Sequence, residues 1–314
     1  MRREKSRFTI TFCSITLAGV VFAADANAAC SRETLTKLAD TYVKAQTDGK
    51  SSMVPLAKGA YYGENDVAMD IGKGVLAGPL KIDFTRSFYD TTQCAAFAEV
   101  VAATDPHPYV ILTRMEATEK GEVTKMESVV TDQGDWVFGA SQYLNFTKAE
   151  NWGEIPKEKR DTREAIKAAG DAYLDRWGNP AIQVPHGTPC ARLEGSMYTG
   201  TRDPNAQACT LTFGTLNVTN RRYVIDENFG FVVIFHNFPF IDAGLPKDPG
   251  TPAGQMFRVE GGMNRYIHEV TTCTSAPGCG QGGGAGKGKG KGGPGGGKGG
   301  PGGPGAPGAA PAKQ

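Results

Sequence analysis

The sequence predicts an α+β protein made of two tandem units, each with N-terminal helices packed on a strongly curved antiparallel sheet. Three observations predict it. Two capped amphipathic helices stand about 130 residues apart, each is followed by runs of strand-type residues, and the two halves share residues at matching offsets. A repeat of this length is too long for a solenoid unit and is the size of a domain.

The first 28 residues read as an export signal. Arg2, Arg3, Lys5 and Arg7 precede an apolar run from Phe8 to Ala24, and Ala26-Asn27-Ala28 places small residues at a cleavage position. Nothing downstream of them is apolar and long enough to span a membrane. Cleavage removes Cys13 and leaves six cysteines. An even number in an exported chain favours disulfides, with fifteen connectivities open. The expected pairs are Cys190–Cys209, closing the loop around GSMYTGTRDPN, then Cys273–Cys279 and Cys30–Cys94. A zinc site is the competing reading of these cysteines. No C-x-x-C and no paired-histidine spacing supports it, so no metal is expected.

Residues 31–48 begin with Ser31 as N-cap. Leu35, Leu38, Tyr42 and Ala45 recur at helical steps, and Gly49 ends the helix. A helical turn at 52–57 and a strand with a small insertion at 60–78 follow. Strands are expected from Pro79 to Phe88 and over 109–118 and 123–131. Residues 94–104 are alanine-rich and suit helix or strand. Their counterpart in the second half is rich in Val, Ile and Phe, which favours strand. Trp136 to Arg160 reads as irregular, so the first unit is placed at 29–150 and the second at 151–273. The second opens with a capped helix at 161–177 and continues into long strands from Val218 to Cys273. GDAY answers ADTY, setting Tyr173 against Tyr42. MYTG answers YYGE, setting Tyr198 against Tyr62. Arg222 and Asp226 answer Arg86 and Asp90, and Arg258 and Glu260 answer Arg114 and Glu116.

Residues 274–314 are rich in Gly, Pro and Lys with no large apolar side chain, which predicts a disordered tail. The formal charge of +1 hides an asymmetry. The signal is basic and the tail carries five lysines and no acid, so the body between them is acidic. An acidic body argues against nucleic acid as a partner. The tail reads either as a solvated linker or as a weak tether to an anionic envelope or matrix polymer. The compartment expected is secreted or periplasmic; oligomeric state stays open.

The segments LADTYVKAQTDGK…AYYGEN and AGDAYLDRWGNP…SMYTG resemble the opening of nuclear transport factor 2-like domains, the superfamily of polyketide-cyclase-like and ketosteroid-isomerase-like proteins. The block NRRYVIDENFGFVVIF…FRVEGGMNRYIHEVTTC looks like a secreted family of fungi and bacteria with two such units. The resemblance implies a cone, in which the sheet curls around its helices and leaves an open-mouthed apolar pocket. The aspartate base and oxyanion-binding pair of the ketosteroid-isomerase-like members do not map onto this chain residue by residue.

Candidate site residues concentrate in the second copy. The strand around His236 is apolar on both faces, so it should be covered on both. Burial should lower the His236 pKa and keep its imidazole neutral, as a base or as a packed core histidine with one hydrogen bond. Arg258 and Glu260 share one strand face, and Tyr266 and His268 share a face of the next. There His268 is a proton carrier, Tyr266 a donor and Arg258 a carboxylate anchor; otherwise Arg258 and Glu260 are only a surface salt bridge. Arg222 and Asp226, four apart on one face, read as a duplicated ion pair or as an anion holder and a carboxylate base, with Asp90 and Glu227 as further carboxylates. Tyr198 is a substrate contact. His236 aligns with Val100 and His268 with Thr124, so chemistry is expected only in the second copy.

No G-x-S-x-G, Walker loop or H-E-x-x-H is present, and no cofactor is expected. These readings support an acid–base enzyme, a lyase, isomerase or hydrolase, acting on a small molecule or carbohydrate. The alternative is a non-catalytic ligand-binding or assembly module.

Overall fold

The structure, a computed structural model, describes residues 30–200, 209–210, 216–239, 242 and 249–273. The expected export signal, the tail and Cys279 lie outside the described residues. Among the described residues no helix is long and apolar enough to cross a membrane.

The first half opens with α1 (Arg32–Asp48). Ser31 caps it by accepting from the Thr34 amide, and Gly49 ends it in the left-handed region at φ 64°. Six strands follow: β1 (Leu56–Glu64), β2 (Val67–Ala68), β3 (Phe84–Asp90), β4 (Ala95–Ala102), β5 (Tyr109–Ala117) and β6 (Val123–Thr131). The alanine-rich run is therefore strand, buried at every position of β4. The second half repeats this order with α3 (Arg163–Arg176), β7 (His186–Glu194), β8 (Met197–Tyr198), β9 (Thr219–Asp226), β10 (Phe231–Phe238), β11 (Thr251–Glu260) and β12 (Met263–Thr271). Between the halves lies α2 (Ala140–Ala149), in a stretch that reads as irregular. Its start has no side-chain cap, and only Ala140, Tyr143 and Thr147 are buried, so the sequence signal is short and weak.

The sheets run β2-β1-β6-β5-β4-β3 and β8-β7-β12-β11-β10-β9, the same order twice. The fold is thus α+β in two tandem units. Each sheet is antiparallel except for one parallel pair, β1 with β6 and β7 with β12. That pair closes because the chain enters each sheet beside the strand with which it later leaves.

Strand alternation gives each sheet two buried faces. One packs on its own helix: Ala96, Ala98 and Val100 against Leu35, Leu38 and Tyr42 of α1, and Val232, Ile234 and Phe257 against Ile166 and Tyr173 of α3. The other faces pack on each other, with Phe88, Phe97 and Leu112 meeting Phe231, Val233 and Met256. The Phe88 and Phe231 rings stack with centroids 3.7 Å apart. The layer order is helix, sheet, sheet, helix, with a seam between the sheets.

The register refines the internal correspondences. Asp90 and Asp226 both oppose the first residue of the next strand, Ala95 and Phe231, so they are equivalent, as are Arg86 and Arg222. The same count sets Arg258 opposite Phe231 but Glu116 opposite Ala95, so the two Arg-x-Glu motifs are two residues out of step. Tyr62 lies on β1, whereas Tyr198 lies on β8, the counterpart of β2, so that pairing does not hold. His268 opposes Met256 and takes the place of Glu127, not of Thr124. The match of His236 with Val100 stands, since they oppose Ala253 and Ile111.

Disulfides join Cys30 to Cys94 and Cys190 to Cys209, with Cα atoms 5.1 and 5.5 Å apart. The first ties the start of α1 to β4. The second ties β7 to the segment after β8.

Candidate functional site

The helix-facing side of the second sheet collects polar groups that an apolar core ordinarily excludes. Arg192 and Glu194 alternate onto that face of β7, and Glu269 and Thr271 onto that face of β12. Gln255 comes from β11, His236 from β10 and Tyr173 from α3. All but Glu194 are nearly inaccessible. Glu194 and Glu269 are direct partners in the parallel ladder, and Gln255 opposes Glu269 across the antiparallel one. Two carboxylates thus meet in a low-dielectric setting.

The hydrogen bonds bind this set together. Glu269 accepts from Gln255 Nε2 at 3.0 Å and from the Thr271 hydroxyl at 2.7 Å. Arg192 Nη1 lies 3.1 Å from Glu194 Oε1 and donates to the Tyr173 hydroxyl at 3.4 Å. Burial, followed by the neighbouring Glu194, pushes the Glu269 carboxyl up to about 8. Burial also raises Glu194, while Arg192 pulls it back. The pair therefore holds one proton near neutral pH, kept on the Glu269 side by the guanidinium beside Glu194. Burial raises the Tyr173 hydroxyl as well, so it stays protonated.

Several polar atoms here have no hydrogen-bond partner among the described residues: Arg192 Nε, Gln255 Oε1 and both ring nitrogens of His236. Burial, helped by the positive Arg221, lowers the His236 pKa to about 3. Gln255 sits close enough to oppose that shift slightly without closing a good hydrogen bond. The imidazole is neutral, as burial alone predicts, and offers one donor and one acceptor. A pKa so far below neutral makes it a weak base and leaves it as a hydrogen-bonding group.

The other candidates lie elsewhere. His268, Tyr266 and Arg258 alternate onto the opposite face, in the seam. His268 Nε2 lies 2.5 Å from Glu150 Oε2, which also accepts from Trp152 Nε1 at 2.9 Å. Tyr198 reaches the same carboxylate and stacks on Phe146 at 4.5 Å, and burial raises its pKa. His268, Tyr266 and Tyr198 are thus brought together around Glu150, just past the end of α2, while His236 is on the far side of the sheet. Arg258 donates to Glu260, Gly153 O and Phe229 O, anchoring the chain that follows α2.

Asp226 and Asp90 are each held by the other half. Arg32, the first residue of α1, donates to both oxygens of Asp226 at 2.9 and 2.5 Å, and the Tyr89 amide adds a third bond. Arg163, the first residue of α3, does the same to Asp90 at 2.8 and 2.6 Å, with the Ile225 amide as third donor. Neither aspartate pairs with the arginine four residues before it. Arg222 instead reaches Asp66 and Glu127 of the first half. Spacing along one strand does not reveal these partners, which belong to the other copy.

Sequence reading does not single out Arg192, Glu194, Gln255 or Glu269. The usable signal is alternation. R-x-E in β7 and Q-x-F in β11 place charge and amide on faces whose neighbours are apolar.

These features define a class: a tandem α+β protein whose second copy carries a cluster of charged and amide side chains on its helix-facing side. Residues 159–271, which make up most of that copy, match the model of a domain of unknown function, DUF8021. No curated protein matches the chain.

Proposed function

We propose that the second copy is an acid–base site for a hydroxylated small molecule or a carbohydrate end. Glu269 donates the proton and Glu194, held ionised by Arg192, is its conjugate partner. The observation that carries this reading is the register-paired Glu194 and Glu269, the first half-buried and the second buried, whose surroundings separate their affinities for a proton. The substrate class follows from the unsatisfied groups. Arg192 Nε needs an acceptor, Gln255 Oε1 needs a donor, and His236 needs one of each. A hydroxyl supplies both from one oxygen.

In this reading the second unit is a nuclear transport factor 2-like cone, the chain is exported, and its basic tail tethers it to an anionic polymer. The two disulfides support an oxidising compartment. The test is a panel of sugars and polyols screened by ligand-observed NMR on the full chain, with turnover followed on any binder. Glu269→Gln should keep binding and lose turnover. Retained turnover removes Glu269 from the chemistry. A ligand that is bound and never transformed leaves a non-catalytic binding module.

A further inference from the structure

We propose that His186, Cys190 and Cys209 form a site for a thiophilic divalent cation, of the zinc class, whenever the two cysteines are thiols. His186 and Cys190 lie four apart on β7, on either side of an irregularity in its pairing with β12. The segment after β8 brings Cys209 onto them. His186 Nδ1 lies 3.8 Å from Cys190 Sγ. Around a tetrahedral zinc, with Zn–N and Zn–S lengths of about 2.0 and 2.3 Å, the nitrogen and sulfur ligands stand about 3.5 Å apart. That pair is already near metal-binding separation. All three ligand atoms lie within 4.8 Å of one another. Only the two sulfurs, bonded at 2.04 Å, must part to receive the ion.

The donor chemistry agrees with this geometry. Two thiolates and one imidazole suit zinc and reject magnesium and calcium, which prefer oxygen. The thiolates cancel the charge of a dication. Three protein ligands leave the fourth position open. The spacing His-x3-Cys with a distant third ligand fits no zinc-finger pattern, which is why it does not stand out in the sequence.

The metal-bound and disulfide forms use the same sulfurs and exclude each other. Passing from the first to the second, the thiolates lose two electrons and form the S–S bond, and the metal leaves as a free dication. An external protein disulfide gains those electrons and two protons from solvent and becomes two thiols. The chain thus carries metal before oxidation and a cross-link after it.

The test uses the full chain produced and purified under reducing conditions, with cobalt(II) as spectroscopic probe and zinc(II) for stoichiometry. Expected are one ion per folded chain, a thiolate-to-cobalt charge-transfer band, and no uptake by the oxidised chain. His186→Ala should weaken affinity at least tenfold, and Cys190→Ser with Cys209→Ser should abolish the band. Uptake that survives the double substitution belongs to the remaining thiols and overturns the proposal. So does the absence of uptake by a reduced chain that circular dichroism shows to be folded, or a reduced chain that unfolds and is not restored by zinc.

Discussion

The helix-facing interiors of the two halves share a frame and differ in content. Along the ladders, Tyr62, Glu64, Val100, Thr113 and Ser128 occupy the places of Arg192, Glu194, His236, Gln255 and Glu269. In the first half the Tyr42, Thr113 and Ser128 hydroxyls form a chain at 2.7 and 2.8 Å. The single carboxylate, Glu64, accepts from the Tyr62 hydroxyl and from the Val75 amide. The second half exchanges two hydroxyls for a second carboxylate and an amide, a tyrosine for an arginine and a valine for a histidine, and unpaired donors and acceptors remain. A closed network stabilises, whereas an open one costs stability and leaves groups to meet a ligand.

The sharpest test of this contrast is turnover on any ligand found. Glu269→Gln or Glu194→Gln should reduce it by about 10²–10⁴-fold, as loss of a general acid or base does. Glu64→Gln in the first copy should change it less than about twofold. Equal losses at both places would break the comparison.

Where the copies are equivalent, they should respond equally. Asp90→Asn and Asp226→Asn each take the carboxylate from a half-buried arginine and should cost about 2–3 kcal/mol in urea denaturation, the worth of charge-assisted hydrogen bonds. The two losses should agree within about 1 kcal/mol, and a large asymmetry would deny the equivalence of the two aspartates.

The pH dependence separates the copies again. The Glu269 carboxyl is raised from an ordinary 4.5 to about 8, so the folded state holds a proton that the unfolded chain has released. Stability should therefore fall as pH rises from about 5 to about 8, by at most about 1.4 kcal/mol per unit. Glu269→Gln should flatten that slope in pH-resolved denaturation, and Glu64→Gln should not. The smallest effect is expected from His236→Val, which copies Val100. Removing an imidazole with two unpaired nitrogens should raise stability by about 1 kcal/mol, less whatever the smaller side chain loses in packing. A loss of several kcal/mol would mean that the imidazole is fully bonded in solution.

Much of the frame was legible because local chemistry fixes it. Ser31, Thr162 and Gly49 mark helix ends, alternation marks strands, and the recurrence of Arg and Asp four apart marks equivalent strands. The neutral, buried state of His236 was also legible, since it follows from a strand apolar on both faces. The site was less so. Glu150 and Trp152 lie just past α2, a helix without a side-chain cap, so no local pattern marks them as partners of His268. Glu194 and Glu269 lie 75 positions apart and meet only through a parallel ladder, whose register no local pattern encodes. The MYTG and YYGE motifs match Tyr198 to Tyr62 because motif similarity ignores which strand of the ladder carries each tyrosine.

The reciprocal grip of Arg32 on Asp226 and of Arg163 on Asp90 has a consequence for how the molecule is made. Each helix start is fastened by a strand end from the opposite copy, so neither copy is finished alone. The amino-terminal copy leaves the ribosome with Arg32 unpaired and must wait for Asp226, 194 residues later, before that arginine meets its carboxylate. Cutting the chain between the copies would leave each piece with one arginine and one aspartate seeking partners. The surface on which they would find them is that of another such piece.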